Sequence, residues 1–162
     1  MTSRIPALGS RGEGWVVAQV IVILVVAGLG LRDLAANGWV NAWGPAAVAI
    51  GLAAIVAGLL LVARAARDLR GGLSPFPRPV AGAPLVESGV YRRIRHPIYS
   101  GLLLAAFGWG VLSESILAVV GAVLLFLVLD AKSRREEEWL THEHPTYLEY
   151  RRRTRRFVPG LY

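Results

Sequence analysis

Cysteine is absent from the 162-residue chain, and only three histidines occur. Without cysteine, neither a disulfide framework nor a thiolate metal site can form. The histidines stand at positions 96, 142 and 144 and show no metal-ligand spacing, so no metal site is predicted. A glycine-rich phosphate loop is also lacking, because Gly28-Leu29-Gly30 lies inside an apolar run.

Acidic residues are few as well, so 18 basic against 11 acidic residues give a net charge of +7. In a soluble protein this balance would suggest nucleic acid as a partner. Here 54% of the residues are apolar and they come in blocks flanked by basic residues. This pattern indicates an integral membrane protein that contacts anionic lipid headgroups, with no nucleic acid partner.

Four apolar runs predict transmembrane helices, at about residues 15–31, 45–63, 97–112 and 116–132. The first run is longer than the ~7–15 residues of a signal-peptide core. Cleavage after Ala35-Ala36 nevertheless stays open. The last two runs are short and form a helical hairpin through Ser113-Glu114-Ser115. They cross a bilayer only if their helices extend past the apolar cores. Trp39 and Trp43 suit a membrane interface.

Besides the short polar connection at 32–44, the chain has three longer polar segments: a flexible N-terminus at 1–14, a proline-rich connection at 71–95, and a tail at 133–162. Residues 15–162 are expected to form one all-α domain with four transmembrane helices. Four spans place one basic residue, Arg32, on one side and the other 17 of the 18 on the opposite side. The positive-inside rule then predicts a bacterial inner or plasma membrane protein with both termini in the cytoplasm.

The stretch Gly89–Gly101 concentrates charge where the third apolar run begins. Pro97 fits the first position of a helix, and the free N–H groups of a helix start attract anions. His96 and Arg95 adjoin this start, although both residues could also simply anchor a helix end among lipid headgroups. Four tyrosines could wall a pocket or lie in an interfacial belt: Tyr91, Tyr99, Tyr147 and Tyr150.

Glu136 and Glu137 could contact a cationic ligand, or could form a solvated helix face. Lys132 lies four residues before Glu136 and so shares its face, which would support a solvated helix by ~0.2–0.5 kcal/mol. The arginine-rich run 151–156 is interpreted as a lipid-headgroup contact.

Together these motifs resemble the isoprenylcysteine carboxyl methyltransferase family and the related phospholipid N-methyltransferases. The resemblance covers about the last ninety residues. It is carried by a Gly-x-Tyr-x-x-x-Arg-His-Pro-x-Tyr-x-Gly pattern, a helical hairpin and Glu-Glu-x-x-Leu, here Gly89, Tyr91, Arg95, His96, Pro97, Tyr99, Gly101, Glu136, Glu137 and Leu140, with Tyr147, Tyr150, Arg156, Phe157 and Pro159 after them.

The resemblance implies a membrane enzyme that binds S-adenosylmethionine in a cytosol-facing pocket. The loop before the third span and a helical C-terminal tail would cap this pocket. His96, Glu136 and Lys132 would act in catalysis, Lys132 standing where the eukaryotic carboxyl methyltransferases have Arg. Cofactor contacts would come from Leu85, Val86, Tyr91, Arg95, His96, Pro97, Ile98, Tyr99, Glu136 and Glu137.

The methyl acceptor is left open by the sequence. A lipophilic molecule entering from the bilayer fits best, with a carboxylate, an amine, or a hydroxyl or thiol as the methylated group. Two alternatives stand beside methyl transfer. One is an NADPH-dependent reductase of the sterol-reductase type, with Arg92, Arg93 and Arg95 on the 2′-phosphate. The other is a non-catalytic membrane scaffold.

Overall fold

A computed structural model describes residues 6, 8–37, 42–69 and 72–162. The described residues form five α-helices: α1 Glu13–Asn37, α2 Pro45–Leu69, α3 Pro97–Leu112, α4 Ile116–Glu143 and α5 Tyr147–Arg153. A 3-10 turn, Gly89–Arg92, precedes α3. No β-strand occurs among these residues, which confirms the predicted all-α fold class.

Three of the described helices, α1, α2 and α4, are long and apolar enough to cross a membrane. The fourth, α3, has 16 residues and at ~1.5 Å per residue is ~24 Å long. Large apolar side chains point away from the protein on these helices, such as Leu24, Leu60 and Ile116, which are 64%, 65% and 68% exposed. Such surfaces are stable when lipid covers them. The chain is therefore a helical membrane protein.

The helix ends refine the predicted spans. α1 and α2 continue beyond the predicted ends at 31 and 63, and α4 continues to Glu143. Charged residues belong to these extensions because they can pair along the helix, as Arg64 does with Asp68 at 3.4 Å. The bounds of α3 agree with the prediction. Trp39 and Arg70 lie outside the described residues.

The helices run alternately up and down, and the contacts at their two ends differ. At one end Ser115 donates a 2.6 Å hydrogen bond to Asp33 at the close of α1. There the Glu114 carboxylate accepts from the N–H groups of Ala42 and Trp43, before α2. Arg32 lies at this end beside Asp33. The opposite end joins the start of α3, the close of α4 and the polar segments.

Glycines bring α2 and α3 together, as the small residues of the second span predict. A Cβ on Gly58 would lie 2.5 Å from the Gly101 carbonyl oxygen. A Cβ on Gly51 would lie 2.8 Å from the Leu112 nitrogen. The two backbones thus approach so closely that a side chain larger than the hydrogen of glycine would not fit at these positions. This packing fixes the start of α3, which carries His96 and Tyr99, relative to the end of α2.

Candidate functional site

A cavity of about 400 Å³ opens at the end of the bundle where α3 begins. The proline-rich loop before α3 covers one side and α5 covers another. Nine of the predicted site residues line it: Leu85, Val86, Tyr91, Arg95, His96, Ile98, Tyr99, Lys132 and Glu136. Pro97 and Glu137 do not line it, so the direct cofactor contacts expected of these two residues do not fit their placement.

His96, Tyr99 and Glu136 form one contact cluster in the cavity wall. Pro97 starts α3, so His96 caps the helix and Tyr99 lies one turn further along the same face. The two rings stack with centroids 5.3 Å apart and planes 1° from parallel. The Tyr99 hydroxyl donates to Glu136 Oε2 at 2.9 Å, and His96 Nδ1 lies 3.7 Å from the same oxygen. His96 and Glu136, which were both predicted to contact the cofactor, are therefore adjacent.

Glu137 lies behind the cavity, and its carboxylate contacts two guanidinium groups and one imidazole ring. Arg95 Nε donates to Glu137 Oε1 at 2.8 Å, and Arg156 Nε donates to the same oxygen at 3.2 Å. His96 Nε2 lies 3.2 Å from that oxygen, and because a carboxylate only accepts, Nε2 carries the hydrogen. Glu137 is 3% exposed. Its contacts hold the side chains of His96 and Arg95 in place.

The C-terminal tail is fastened alongside the residues that precede α3. The Arg95 and His96 amides donate to the Arg155 and Arg156 carbonyls at 2.8 and 3.1 Å. The Tyr150 hydroxyl donates to the Tyr91 carbonyl at 2.8 Å. This backbone pairing was not predicted, because a short bridge between segments about 60 residues apart leaves no local pattern in the sequence. It brings Arg156 to Glu137.

Lys132 is buried in the cavity wall without a carboxylate in direct contact, and Glu136, one turn further along α4, attracts its charge from a longer distance. The side chain is 1% exposed, and Nζ donates to Gln19 Oε1 at 2.6 Å. Nζ also lies 5.0 Å from the centre of the Tyr99 ring. Across the described part of the chain, no carboxylate oxygen lies within 4.0 Å of Nζ. A buried ammonium with neutral partners can still accept an anionic ligand.

Gln19 is a site residue that sequence analysis missed. It lies in α1 and lines the cavity. In the sequence, Gln19 stands out as the one polar side chain between Trp15 and Leu31. Polar side chains inside membrane helices usually face a partner or a cavity, so that signal was sufficient to raise a question but not to name the partner.

Tyr147 was predicted only as one of four possible wall tyrosines, and it lines the cavity from α5. It is 1% exposed, and its hydroxyl has no hydrogen-bond partner among the described residues. Burial raises the pKa of Tyr147 above its ordinary value, so the hydroxyl stays protonated and can donate. An unpaired buried hydroxyl costs about 1–3 kcal/mol unless a ligand or water completes it. Tyr147 therefore holds a buried donor beside the cavity that has no partner among the described residues.

The segment before α1 supports the loop that covers the cavity. The Arg11 guanidinium lies 4.1 Å from the centre of the Phe76 ring, and Phe76 lines the cavity. The Arg78 amide donates to the Arg11 carbonyl at 3.3 Å. Of the N-terminus predicted to be flexible, residues 1–5 and 7 lie outside the described residues. The contacts of Arg11 tie the remainder to the loop.

Metal binding has no support in this region. The described residues contain no group of three or more His, Cys, Asp or Glu side chains close enough to hold a metal ion.

A cavity enclosed by polar and aromatic side chains at the ends of membrane helices is the usual setting of a small-molecule site. Residues 46–146 match the family model described as Phospholipid methyltransferase. The match covers more than half of the chain, so this protein belongs to the phospholipid methyltransferase family. It extends back through α2, further than the motif resemblance reached, and ends before α5.

Two curated proteins are similar over part of the chain. Cobalt-zinc-cadmium resistance protein CzcN of Cupriavidus metallidurans is 40% identical over 78 residues, which are 48% of this chain and 36% of the relative. Nickel-cobalt-cadmium resistance protein NccN of Alcaligenes xylosoxydans xylosoxydans is 37% identical over 78 residues, which are 48% of this chain and 37% of the relative. The match thus spans little more than a third of the length of these relatives.

Proposed function

We propose that this protein transfers a methyl group from S-adenosylmethionine to a lipophilic acceptor that enters from the bilayer. The supporting observation is that His96, Tyr99, Glu136 and Lys132 face one cavity at the ends of membrane helices, in a chain of the phospholipid methyltransferase family. The acceptor class is a carboxylate or amine of an isoprenoid-like lipid or a phospholipid. The acceptor would reach the site from the lipid side between α3 and α4.

The cavity residues fit S-adenosylmethionine by chemistry. Apolar and aromatic surfaces of Leu85, Val86 and Tyr91 suit an adenine ring. The Glu136 carboxylate suits a positive group, and the unpaired Tyr147 hydroxyl suits an acceptor atom. Arg95 was expected at the cofactor carboxylate, but its guanidinium already binds Glu137 and the Thr154 carbonyl. The N–H groups at the start of α3 remain for an anion.

When bound, S-adenosylmethionine supplies a methyl group on a sulfonium sulfur. The residues of this chain would align the acceptor and exclude water, and they need little acid–base chemistry. Tyr99 and His96 fix the Glu136 carboxylate, and Lys132 holds an anionic acceptor headgroup. The proline-rich loop closes the cavity against solvent. Alignment of this kind can contribute up to about 7–11 kcal/mol to the lowering of a barrier.

The reductase alternative is less well supported. Of the three arginines proposed for the NADPH 2′-phosphate, only Arg95 lines the cavity. Arg92 and Arg93 are exposed. A thermal-shift comparison of NADPH with S-adenosylmethionine tests this directly, and stabilisation by NADPH alone would favour the reductase.

We expect His96→Ala and Glu136→Gln each to weaken S-adenosylmethionine binding about 10- to 100-fold, because each removes a charged or charge-assisted contact in a buried site. Isothermal calorimetry on the purified protein measures this affinity. His142→Ala and Glu143→Gln are matched controls on the exposed end of α4. Unchanged affinity in both cavity variants would remove the proposed site.

Methyl transfer itself is tested by incubating the protein with labelled S-adenosylmethionine and membrane lipid extract. Mass spectrometry of the lipids then identifies which molecule gains a methyl group and whether oxygen, nitrogen or sulfur carries it. Cofactor binding without methylation of any lipid would favour the scaffold alternative.

We further propose that the site end of the bundle faces the cytoplasm of a bacterial inner or plasma membrane. Arg32 lies at the opposite end, beside Asp33 and the α3–α4 turn, as the positive-inside rule requires. The chain has no cysteine, so single cysteines report without background. We expect Glu149→Cys to react with a membrane-impermeant thiol reagent only from the cytoplasmic side, and Glu114→Cys only from the other. The reverse labelling would contradict this orientation.

A further inference from the structure

A second cavity, of about 360 Å³, opens on the other side of Arg95 from the proposed methyl-transfer site. Eight residues line it, five of them arginines: Arg95, Arg134, Arg151, Arg155 and Arg156, with Thr154, Leu161 and Tyr162. No aspartate or glutamate belongs to this lining. We call it the arginine cavity.

The charge of the arginine cavity is only partly balanced. Two carboxylates of α4 lie behind it: Glu137 accepts from Arg95 and Arg156, and Asp130 accepts from Arg134 and Arg156. Arg155 has no carboxylate within 4.0 Å in the described part of the chain. Two carboxylates thus face five guanidinium groups. Such an excess favours an additional anion with several acceptor oxygens.

The cavity is also held in shape. Arg95 and Arg156 have side chains only 8% and 10% exposed, and their hydrogen bonds fix both guanidinium groups. Arg95 Nη1 donates to the Thr154 carbonyl at 2.7 Å. The backbone pairing of Arg155 with residues 93 and 95 fixes the opposite wall. An anion entering here would meet two positioned guanidinium groups, those of Arg95 and Arg156, and three more exposed ones around them, those of Arg134, Arg151 and Arg155.

The position of the cavity indicates a lipid as the source of the anion. Arg95 lies two residues before Pro97, where the chain enters the apolar helix α3. Leu161 lines the cavity and is 82% exposed, and Val158 nearby is 45% exposed. Cationic donors beside exposed apolar side chains, at the level where a membrane helix begins, match a phosphate group carried on an acyl-chain lipid.

We propose that the arginine cavity binds a phosphate group, and that an anionic phospholipid of the surrounding membrane supplies it. This site is separate from the methyl-transfer cavity, although Arg95 lines both. Binding here needs no methyl transfer, so the proposal can fail or hold independently of the proposed function.

The test titrates the detergent-solubilised full chain with phosphatidylglycerol and counts the bound lipid by native mass spectrometry. We expect Arg151→Gln/Arg155→Gln to weaken binding roughly 30-fold, since each basic group near a membrane surface contributes about fivefold. Arg92→Gln/Arg152→Gln is the matched control, because it removes the same charge from two exposed arginines that do not line the cavity. We expect it to weaken binding less than about fivefold, whereas diffuse surface charge would give roughly 30-fold. Melting temperatures without lipid verify that all variants fold.

Equal weakening by Arg92→Gln/Arg152→Gln would mean diffuse surface charge and would overturn the proposal, as would unchanged binding in Arg151→Gln/Arg155→Gln. Diacylglycerol, which lacks phosphate, should bind without regard to the arginines. Inorganic phosphate that competes as strongly as the lipid would keep the phosphate site but overturn the assignment to a phospholipid.

Discussion

Replacing Glu137 by Gln should lower the free energy of unfolding by about 3–5 kcal/mol, because it removes one partner of a buried charge network. Glu137 accepts hydrogen bonds from Arg95, His96 and Arg156, and Arg151 lies 3.5 Å away. A glutamine keeps the shape but not the charge. The Arg95 guanidinium would then stay buried without its carboxylate, and Arg156 would keep only its ion pair with Asp130.

The thermal unfolding midpoint in detergent measures this loss, and Glu143→Gln, exposed on the same helix, is the control. The measurement also separates the two roles considered for Glu137. A positioning role lowers the unfolding midpoint with and without S-adenosylmethionine. If instead the midpoint of the ligand-free protein is unchanged and only cofactor affinity falls, Glu137 is a direct contact, as the sequence suggested.

The different placement of Glu136 and Glu137 shows which features of the site could be predicted from the sequence and which could not. An α-helix turns about 100° per residue, so neighbouring positions point to different surroundings. Lys132, Glu136 and Leu140 are spaced by four and line the cavity together. Glu137 is turned away toward the tail. The adjacent acidic pair was visible in the sequence, but which of the two faces the cavity depends on how α4 packs.

Periodicity and composition were sufficient to predict the helices, because the backbone N–H and C=O groups of a membrane span must form hydrogen bonds within the span itself. The bounds of α3 followed from Pro97 at its start and Ser113 at its close. The extended ends of α1 and α2 could not be predicted in the same way, since an apolar run shows which residues lie in the lipid and not where the helix ends. A helix continues into water for as long as its side chains can pair there.

Contacts between distant segments were the least predictable feature. Gln19 and Lys132 are 113 residues apart, and their hydrogen bond depends on α1 packing against α4. The pairing of Arg155 with the residues before α3 likewise requires the tail to return to the bundle. Motif resemblance could place His96, Tyr99 and Glu136 near one molecule, but it gave no information on α1, which lies outside the matched family region.

Replacing Lys132 by Met should abolish most methyl transfer while leaving the fold at least as stable. The Lys132 ammonium is 1% exposed and its direct polar partner is the neutral Gln19 amide, so in the absence of ligand its desolvation is offset only by the more distant Glu136 carboxylate. Methionine keeps the length and apolar stem and removes that cost. A buried charge without a direct ion pair is typical of a binding site that exchanges stability for function.

The expected loss in kcat/KM for the lipid acceptor is about 10²–10³-fold, the effect of removing one partner of a buried charge pair that forms only with substrate. Gln19→Leu should cost about tenfold, because it removes the hydrogen bond that orients Nζ. Lys132→Arg keeps the charge and should retain more activity than Met. The initial rate of labelled methyl incorporation into lipid extract gives these values, and calorimetry gives cofactor affinity for each variant.

The comparison of the two measurements identifies what Lys132 binds. If it holds the acceptor headgroup, Lys132→Met lowers kcat/KM for the lipid and leaves S-adenosylmethionine affinity unchanged within about twofold. If cofactor affinity falls in parallel with the rate, Lys132 binds the cofactor carboxylate instead. Because the ammonium is buried beside Tyr99 and Gln19 with no acidic group within 4.0 Å, full activity in Lys132→Met would contradict both roles and would leave its burial without a function.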